Sequence, residues 1–161
     1  MIKHMHKKIW LFIIVITAVA SCSKKPAVEY TPTYKMAGEW FTRYYQGGSA
    51  ITTFHKILTY NTSDPGINQV WVDDPNVWTF KSKFDVDYNT LSFKSMESAN
   101  DILHTGNTVK VYEGKVLPNA GVSKSGNKVD SIYLKVEFSD DPGTIYEIRG
   151  HQRTGFFEDE Y

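Results

Sequence analysis

The sequence predicts an all-β fold, an eight-stranded antiparallel up-and-down barrel, on three observations. Apolar and polar residues alternate with the two-residue period of a strand, and no segment keeps the 3.6-residue apolar period of a helix. Turn-forming triplets such as Asp64-Pro65-Gly66 and Asp141-Pro142-Gly143 separate the alternating segments. The connections are too short to hold a crossover helix, so consecutive strands should pair antiparallel.

The strand pattern begins at residue 38 and continues to about residue 153. The clearest strand places Phe80, Phe84, Val86 and Tyr88 on one face and Lys81, Lys83, Asp85 and Asp87 on the other. A second places Ile132, Leu134, Val136 and Phe138 opposite Ser131, Lys135 and Glu137. We predict strands at about 38–46, 50–60, 68–73, 78–88, 91–96, 107–117, 128–139 and 144–153. Eight such strands can close into a barrel that holds one small ligand, and a two-sheet β-sandwich is the structural alternative.

The N-terminal residues have the pattern of a secretion signal. Lys3, Lys7 and Lys8 precede an apolar run over 9–20, which is shorter than the roughly 20 residues that a membrane helix needs. Val19-Ala20-Ser21-Cys22 resembles the bacterial lipobox, in which the cysteine is acylated and becomes the new N-terminus, and Cys22 is the single cysteine of the chain. We therefore predict a lipoprotein signal peptide over 1–21, a lipid-anchored tether over 22–35 and a barrel domain over 36–161.

The charge of the predicted mature chain argues against a nucleic-acid partner. Removing residues 1–21 takes away three lysines and no carboxylate, which leaves 15 Lys and Arg against 18 Asp and Glu. Nucleic-acid binding requires clustered positive charge, and after the predicted cleavage site only Lys24-Lys25 form such a pair. The predicted anchor instead makes a membrane the expected partner.

The sequence carries no recognisable catalytic or metal-binding motif. It contains neither a Gly-x-Ser-x-Gly elbow nor a His-Glu-x-x-His pair. The histidines beyond the signal, His55, His104 and His151, are interpreted as solvated or structural. Asp85 and Asp87 lie on the polar face of a strand, and Asp73-Asp74-Pro75-Asn76 lacks the regular spacing of a calcium loop. We therefore assign no catalytic residue, no metal site and no cofactor.

Large apolar residues supply the candidate ligand-binding surface. They would either fill a narrow barrel or line an apolar pocket with phenol hydroxyls that orient a ligand, and the pattern leaves both possibilities open. The predicted lumen residues are Phe80, Phe84, Tyr88, Phe93, Tyr133 and Phe138.

The first predicted strand opens with Gly38-Glu39-Trp40, which resembles the glycine–any–tryptophan motif of lipocalin and calycin barrels. That resemblance implies that Trp40 plugs the closed end of the barrel and that an arginine late in the last strand lies over the indole. Arg149 and Arg153 are the candidates. Because the start of the first strand would lie beside the end of the last, strand direction selects Arg153, so Gly38, Trp40 and Arg153 are the predicted closure residues.

Three segments together resemble a Bacteroidetes lipoprotein family that is labelled lipid-binding putative hydrolase and has a lipocalin-like barrel. They are the lipobox, this opening motif and the final Gly150-His151-Gln152-Arg153-Thr154-Gly155-Phe156. The resemblance implies a lipid-anchored envelope protein that binds a hydrophobic or amphipathic small molecule. The alternatives are a lipid or ester hydrolase of the envelope and a non-enzymatic docking module of an envelope complex. Ser23-Lys24-Lys25-Pro26 lacks the acidic cluster of surface-export signals, so we expect an outer-membrane lipoprotein that faces the periplasm.

Overall fold

The structure is a computed structural model that describes residues 27–64 and 66–161. The predicted signal over 1–21, Cys22 and the first tether residues lie outside the described residues. A 3₁₀ turn, Pro32–Lys35, precedes the sheet, and a second, Phe157–Asp159, follows it. The strands are β1 Gly38–Gln46, β2 Ser49–Ala50, β3 His55–Asn61, β4 Gln69–Asp74, β5 Phe80–Asp87, β6 Ser92–Phe93, β7 Met96–Asn100, β8 Thr108–Val122, β9 Lys128–Phe138 and β10 Tyr146–Gln152.

The sheet closes into an antiparallel eight-stranded barrel, which confirms the predicted fold class. The wall strands pair antiparallel in the order β1, β3, β4, β5, β6, β8, β9, β10, and β10 returns to pair with β1 over six residue pairs, Trp40↔Gln152 to Tyr45↔Glu147. The short strands β6 and β7 follow one another along β8, so they form a single interrupted wall strand. Strand β2 pairs only with the end of β1. A single closed sheet of this kind has no free edge along β1 or β10, unlike the sandwich alternative.

Several elements differ from their predicted extent because pairing, rather than local pattern, sets them. The predicted strand over 50–60 divides into β2 and β3, since the chain between them turns from the end of β1 back to its middle. Strand β7 carries no alternation of large apolar residues, yet it is extended because it pairs with β8 at Met96↔Val111 and Asn100↔Thr108. A neighbouring strand can therefore impose an extended conformation that the sequence of β7 does not favour.

The two ends of the barrel carry different features. The tether end contains the Pro32–Lys35 turn, the start of β1, the end of β10 and the β8–β9 turn. The far end contains the end of β4 and the starts of β3, β5 and β10. Exposed aliphatic residues occur on each far-end loop: Ile51, Val77, Ile102, Leu103 and Ile145.

The predicted stacking of Arg153 on Trp40 is wrong, although both residues lie at the tether end. The Arg153 N–H donates to the Glu39 carbonyl at 2.8 Å, so Arg153 lies opposite Glu39 and shares its outer face. Its guanidinium binds Glu39 and Glu160 at 2.6 Å each. The strand direction correctly predicted that Arg153 lies near the level of Trp40 along the barrel. The residue directly opposite Trp40 is Gln152, however, and adjacent residues of a strand point to opposite faces, so Arg153 points away from the indole.

Trp40 itself is buried at the tether end of the lumen. Its Nε1–H donates to Thr59 Oγ1 at 2.8 Å, and that hydroxyl donates to the Met36 carbonyl at 2.5 Å. Met36 and Trp40 are both fully buried. The buried Thr33, in the predicted tether, and the buried Met36, the first residue of the predicted barrel domain, thus close this end of the barrel. Among the described residues no helix has the length and apolarity to span a membrane.

Candidate functional site

Four of the six predicted lumen residues point inward and pack against one another. Phe80, Phe84, Phe93 and Phe138 are each at most 3% exposed. Their ring centroids lie 6.2 Å apart for Phe80–Phe84, 6.2 Å for Phe84–Phe93 and 5.2 Å for Phe80–Phe138. Such contacts are typical of a side-chain core. In this state the rings therefore fill the space that the hollow-barrel alternative would leave to a ligand.

The two predicted lumen tyrosines lie elsewhere. Tyr88 is half-buried at the edge of the core, where its hydroxyl donates to the Gln69 carbonyl at 3.0 Å. Tyr133 does not face the lumen at all, because it lies between Ile132 and Leu134, whose side chains point inward. Its ring lies on the outer surface opposite Arg149. Tyr133 is therefore removed from the predicted lumen.

A buried polar network closes the far end of the barrel. The Asp74 carboxylate has no exposed surface; it accepts hydrogen bonds from the Tyr44 hydroxyl at 2.8 Å and from the N–H groups of Asn76 and Val77 at 2.9 and 3.0 Å. His55 Nε2 lies 3.5 Å from the same carboxylate. Burial alone would raise the pKa of Asp74, but these donors outweigh burial and hold that pKa below its usual value. Asp74 is therefore the ionised centre of the network.

Aromatic rings cover this network and the end of the lumen. Trp78 stacks on Phe138 with ring centroids 4.6 Å apart, and Tyr146 lies 4.8 Å from the Trp78 ring. The Tyr146 hydroxyl donates to Asp141 at 2.6 Å; partial burial and this bond raise the pKa of Tyr146 to about 12. The half-buried Trp78 therefore lies between solvent and the lumen rings.

The histidines of the described residues are not paired with a serine nucleophile. His104 Nδ1 binds the buried Asp101 at 2.7 Å, and the His104 side chain is 47% exposed. His151 is buried among Phe41, Phe54 and Tyr161, and burial lowers its pKa. Across residues 27–64 and 66–161, no serine hydroxyl is hydrogen-bonded to any of the three. A serine–histidine hydrolase site is thus not formed.

The acidic residues singled out in the sequence are also separated. Asp85 accepts a hydrogen bond from Gln69 and Asp87 from the Asn89 N–H, both on the outer surface. Asp73 binds Tyr60 and Lys81 on the outer face, whereas Asp74 points inward. Within the described ranges, no group of three or more histidine, cysteine or acidic side chains could hold a metal ion.

The wall of the barrel contains a groove where two neighbouring strands fail to pair. Strand β5 pairs with β6 at Val86↔Phe93 and Asp87↔Ser92. The chain just beyond β7 rejoins β5 through the Ser82↔Asp101 bridge and through the Ile102 N–H, which donates to the Lys81 carbonyl at 2.9 Å. The groove between these contacts has a volume of about 350 Å³. Trp71, Met96, Ala99 and Ile102 form its apolar walls, and Gln69, Lys83, Ser98 and Asn100 its polar ones. We call this feature the seam groove.

The seam groove combines apolar surface with one positive charge. Lys83 is the single charged residue among its lining residues, and its ammonium lies 5.0 Å from the centre of the Trp71 ring. Lys81 lies 5.5 Å from the same ring but also pairs with Asp73 at 3.4 Å. Within the described residues Lys83 has no carboxylate partner. Met96 both lines the groove and packs against the core, so it separates the groove from the lumen.

Sequence reasoning missed every residue of the seam groove. One signal was available: Trp71 lies between Val70 and Val72, so a large aromatic ring had to occupy the outer face of β4. A large, half-buried aromatic ring on an outer face can form part of a binding surface. The unpaired stretch of β5 could not be predicted from its own sequence, because whether β5 finds a partner depends on how β7 pairs with β8.

The fold and the groove together define a small closed β-barrel protein with an amphipathic cleft in its wall. The chain belongs to the family described as lipid-binding putative hydrolase, whose model matches residues 25–157. The match spans all the barrel strands and confirms the lipid-binding putative hydrolase part of the resemblance. A search of curated proteins finds no match to the chain.

Proposed function

We propose that this protein is a lipid-anchored lipoprotein of the bacterial envelope whose barrel binds a hydrophobic or amphipathic small molecule. Membership of a lipid-binding family and the closed barrel support binding of a hydrophobic ligand. The lipobox-like residues before Cys22 support the anchor, and the lack of an acidic cluster after it supports the periplasmic side of the outer membrane. The proposal is non-enzymatic, since no serine hydroxyl of the described residues is hydrogen-bonded to a histidine.

The seam groove is the observation that carries the proposal. Its volume of about 350 Å³ lies in the range of about 300–1,000 Å³ that is typical of small-molecule sites. The inward rings are packed, so the groove, rather than the lumen, offers preformed space. An acyl chain can pack on Trp71, Met96 and Ile102 while an anionic head group meets Lys83. The groove therefore favours an amphiphile with a carboxylate or phosphate head.

Binding of a fluorescent fatty acid to a soluble form lacking residues 1–22 tests this site. Trp71→Ala should raise the Kd about tenfold, the equivalent of about 1.4 kcal/mol, because the largest apolar wall is removed. Lys83→Gln should raise the Kd for the acid about three- to fivefold, as expected for an exposed ion pair of up to about 1 kcal/mol. It should leave the Kd for the methyl ester unchanged.

The matched controls lie on the outer face of β9, which strand β8 separates from the groove strand β7. Tyr133→Ala and Lys135→Gln remove the same kinds of side chain and should leave both affinities unchanged. Equal effects of the groove and control variants would contradict the assignment. Absence of saturable binding across several lipid classes would instead favour a docking module that uses the exposed aliphatic residues of the far end.

A further inference from the structure

Two adjacent phenylalanines project into solvent just beyond the last strand. Phe156 is 59% exposed and Phe157 is 93% exposed. Burying one such ring typically contributes about 1.5–3 kcal/mol, and neither ring is used in this way within the barrel. A pair of exposed aromatic rings on an ordered turn marks an interaction surface.

Hydrogen bonds, an ion pair and a ring contact hold the turn that carries these rings. The buried Asp159 carboxylate accepts hydrogen bonds from Thr154 Oγ1 and from the Ser125 N–H, each at 2.6 Å, and these donors hold its pKa far below the usual range. Glu160 binds Arg153 Nε at 2.6 Å. The final ring, Tyr161, packs on Phe54 with centroids 4.2 Å apart. The exposure of Phe156 and Phe157 is therefore imposed by the fold around them.

The same turn lies at the tether end of the barrel. The Arg153 N–H bonds to Glu39 beside the start of β1, which the Pro32–Lys35 turn precedes, and Asp159 bonds to the β8–β9 turn. About ten residues separate Cys22 from Pro32, so an anchored Cys22 would hold this end within roughly 35 Å of the bilayer. Val122, beside the β8–β9 turn, is also exposed at this end.

We infer that the tether end lies on the bilayer surface, with Phe156 and Phe157 in the lipid head-group region. This inference rests on the lipid anchor in the proposed function. Aromatic rings are favoured at the membrane–water interface, and apolar side chains that enter the interface add to the membrane affinity of a lipid anchor. The far end, with Leu103 51% exposed, then points away from the membrane, and the seam groove runs along the side of the barrel.

Site-specific labelling of the full, mature protein tests this orientation. Acylation consumes the thiol of Cys22, the single cysteine, so Phe157→Cys supplies one free thiol for an NBD dye, and Leu103→Cys supplies the matched control at the far end. Both proteins are reconstituted in vesicles of phosphatidylethanolamine and phosphatidylglycerol. At position 157 we expect blue-shifted emission and quenching by nitroxide-labelled lipids. At position 103 we expect emission typical of water and no such quenching.

The parent protein without an added cysteine separates the two possible failures. If the parent takes up dye, Cys22 is not acylated and the anchor in the proposed function is wrong. If the parent stays unlabelled but position 157 behaves as in water, or if position 103 is the quenched site, the anchor stands and the orientation inferred here is overturned. Circular dichroism of each variant verifies that the barrel is folded.

Discussion

The carboxylate of Asp74 lies at the far end of the barrel with no exposed surface, and four donors from three segments converge on it. Tyr44 comes from β1, His55 from β3, and the Asn76 and Val77 N–H groups from the turn after β4. A buried charge is tolerated only when it is paired and hydrogen-bonded. The network therefore couples the ends of three strands through a single side chain.

Asp74→Asn should lower the free energy of unfolding at pH 7 by roughly 1.5–3 kcal/mol. The amide retains one acceptor oxygen but places an NH2 group against the donors of Tyr44 or His55. Because the pKa of Asp74 is lower in the folded chain, its contribution is complete above the unfolded pKa of about 3.9 and is lost as the pH falls through the folded pKa. Urea titrations at several pH values measure this loss.

The control for Asp74 is Glu158→Gln, which neutralises an exposed carboxylate at the other end of the barrel. Its effect should stay within about 0.5 kcal/mol. Two outcomes would show that the network does not hold an ionised carboxylate. One is an equal loss of stability in the two variants, and the other is an Asp74→Asn protein that loses as much stability in acid as the parent does.

At the scale of elements, the pairing of β1 with β10 depends on a close backbone approach at Gly150. A Cβ at this position would lie 2.1 Å from the Phe41 carbonyl oxygen and 2.7 Å from Thr42 Cγ2. Both distances are well inside van der Waals contact, and the first involves backbone that cannot rotate away. The closure strand pair therefore requires glycine here.

Gly150→Ala should lower the free energy of unfolding by roughly 2–3 kcal/mol, because the added methyl group forces the two strands apart. Gly38→Ala is the matched control, since its Cβ would meet the nearest atom at an ordinary 3.5 Å. That variant should be neutral or stabilising by about 0.5 kcal/mol through reduced chain entropy in the unfolded state. Chemical denaturation of both variants measures the difference, and equal losses would be inconsistent with a tight closure at Gly150.

The seam between β5 and β7 also belongs to the scale of elements. Alternation along β5 assigns each residue to a face, but it carries no information on whether the neighbouring segment pairs with it. The groove exists because β7 pairs with β8 but forms no ladder with β5, which the chain rejoins just beyond β7 at Asp101 and Ile102. A local pattern thus predicted the strand, and the neighbouring strand created the site.

At the scale of the whole molecule, the predicted anchor determines how the barrel meets the membrane. Cys22→Ala should abolish incorporation of an alkyne-tagged fatty acid, because it removes the acylated thiol, while Ser23→Ala should label like the parent. Protease added to intact cells should spare the protein if it faces the periplasm. An unlabelled parent would refute the anchor, and rapid digestion on intact cells would place the protein on the outer surface.

The sequence by itself determined the all-β class, most strand positions and the inward faces of Phe80, Phe84 and Phe138, because a two-residue period is local and needs no partner. The same two-residue period contradicts the lumen prediction for Tyr133, which lies between the inward residues Ile132 and Leu134. The family was recognisable for the same reason, since its motifs are short segments at the two ends of the chain.

Only the tertiary structure decided the features that join distant segments. The face of Arg153, opposite Glu39, depended on a register that differs by a single residue from the one that would place it beside Trp40. Whether the inward rings filled the barrel depended on the summed volumes of side chains from all eight strands. The Asp74 network, the seam groove and the position of Phe157 beside the tether arose from contacts between segments far apart in sequence, which local patterns do not encode.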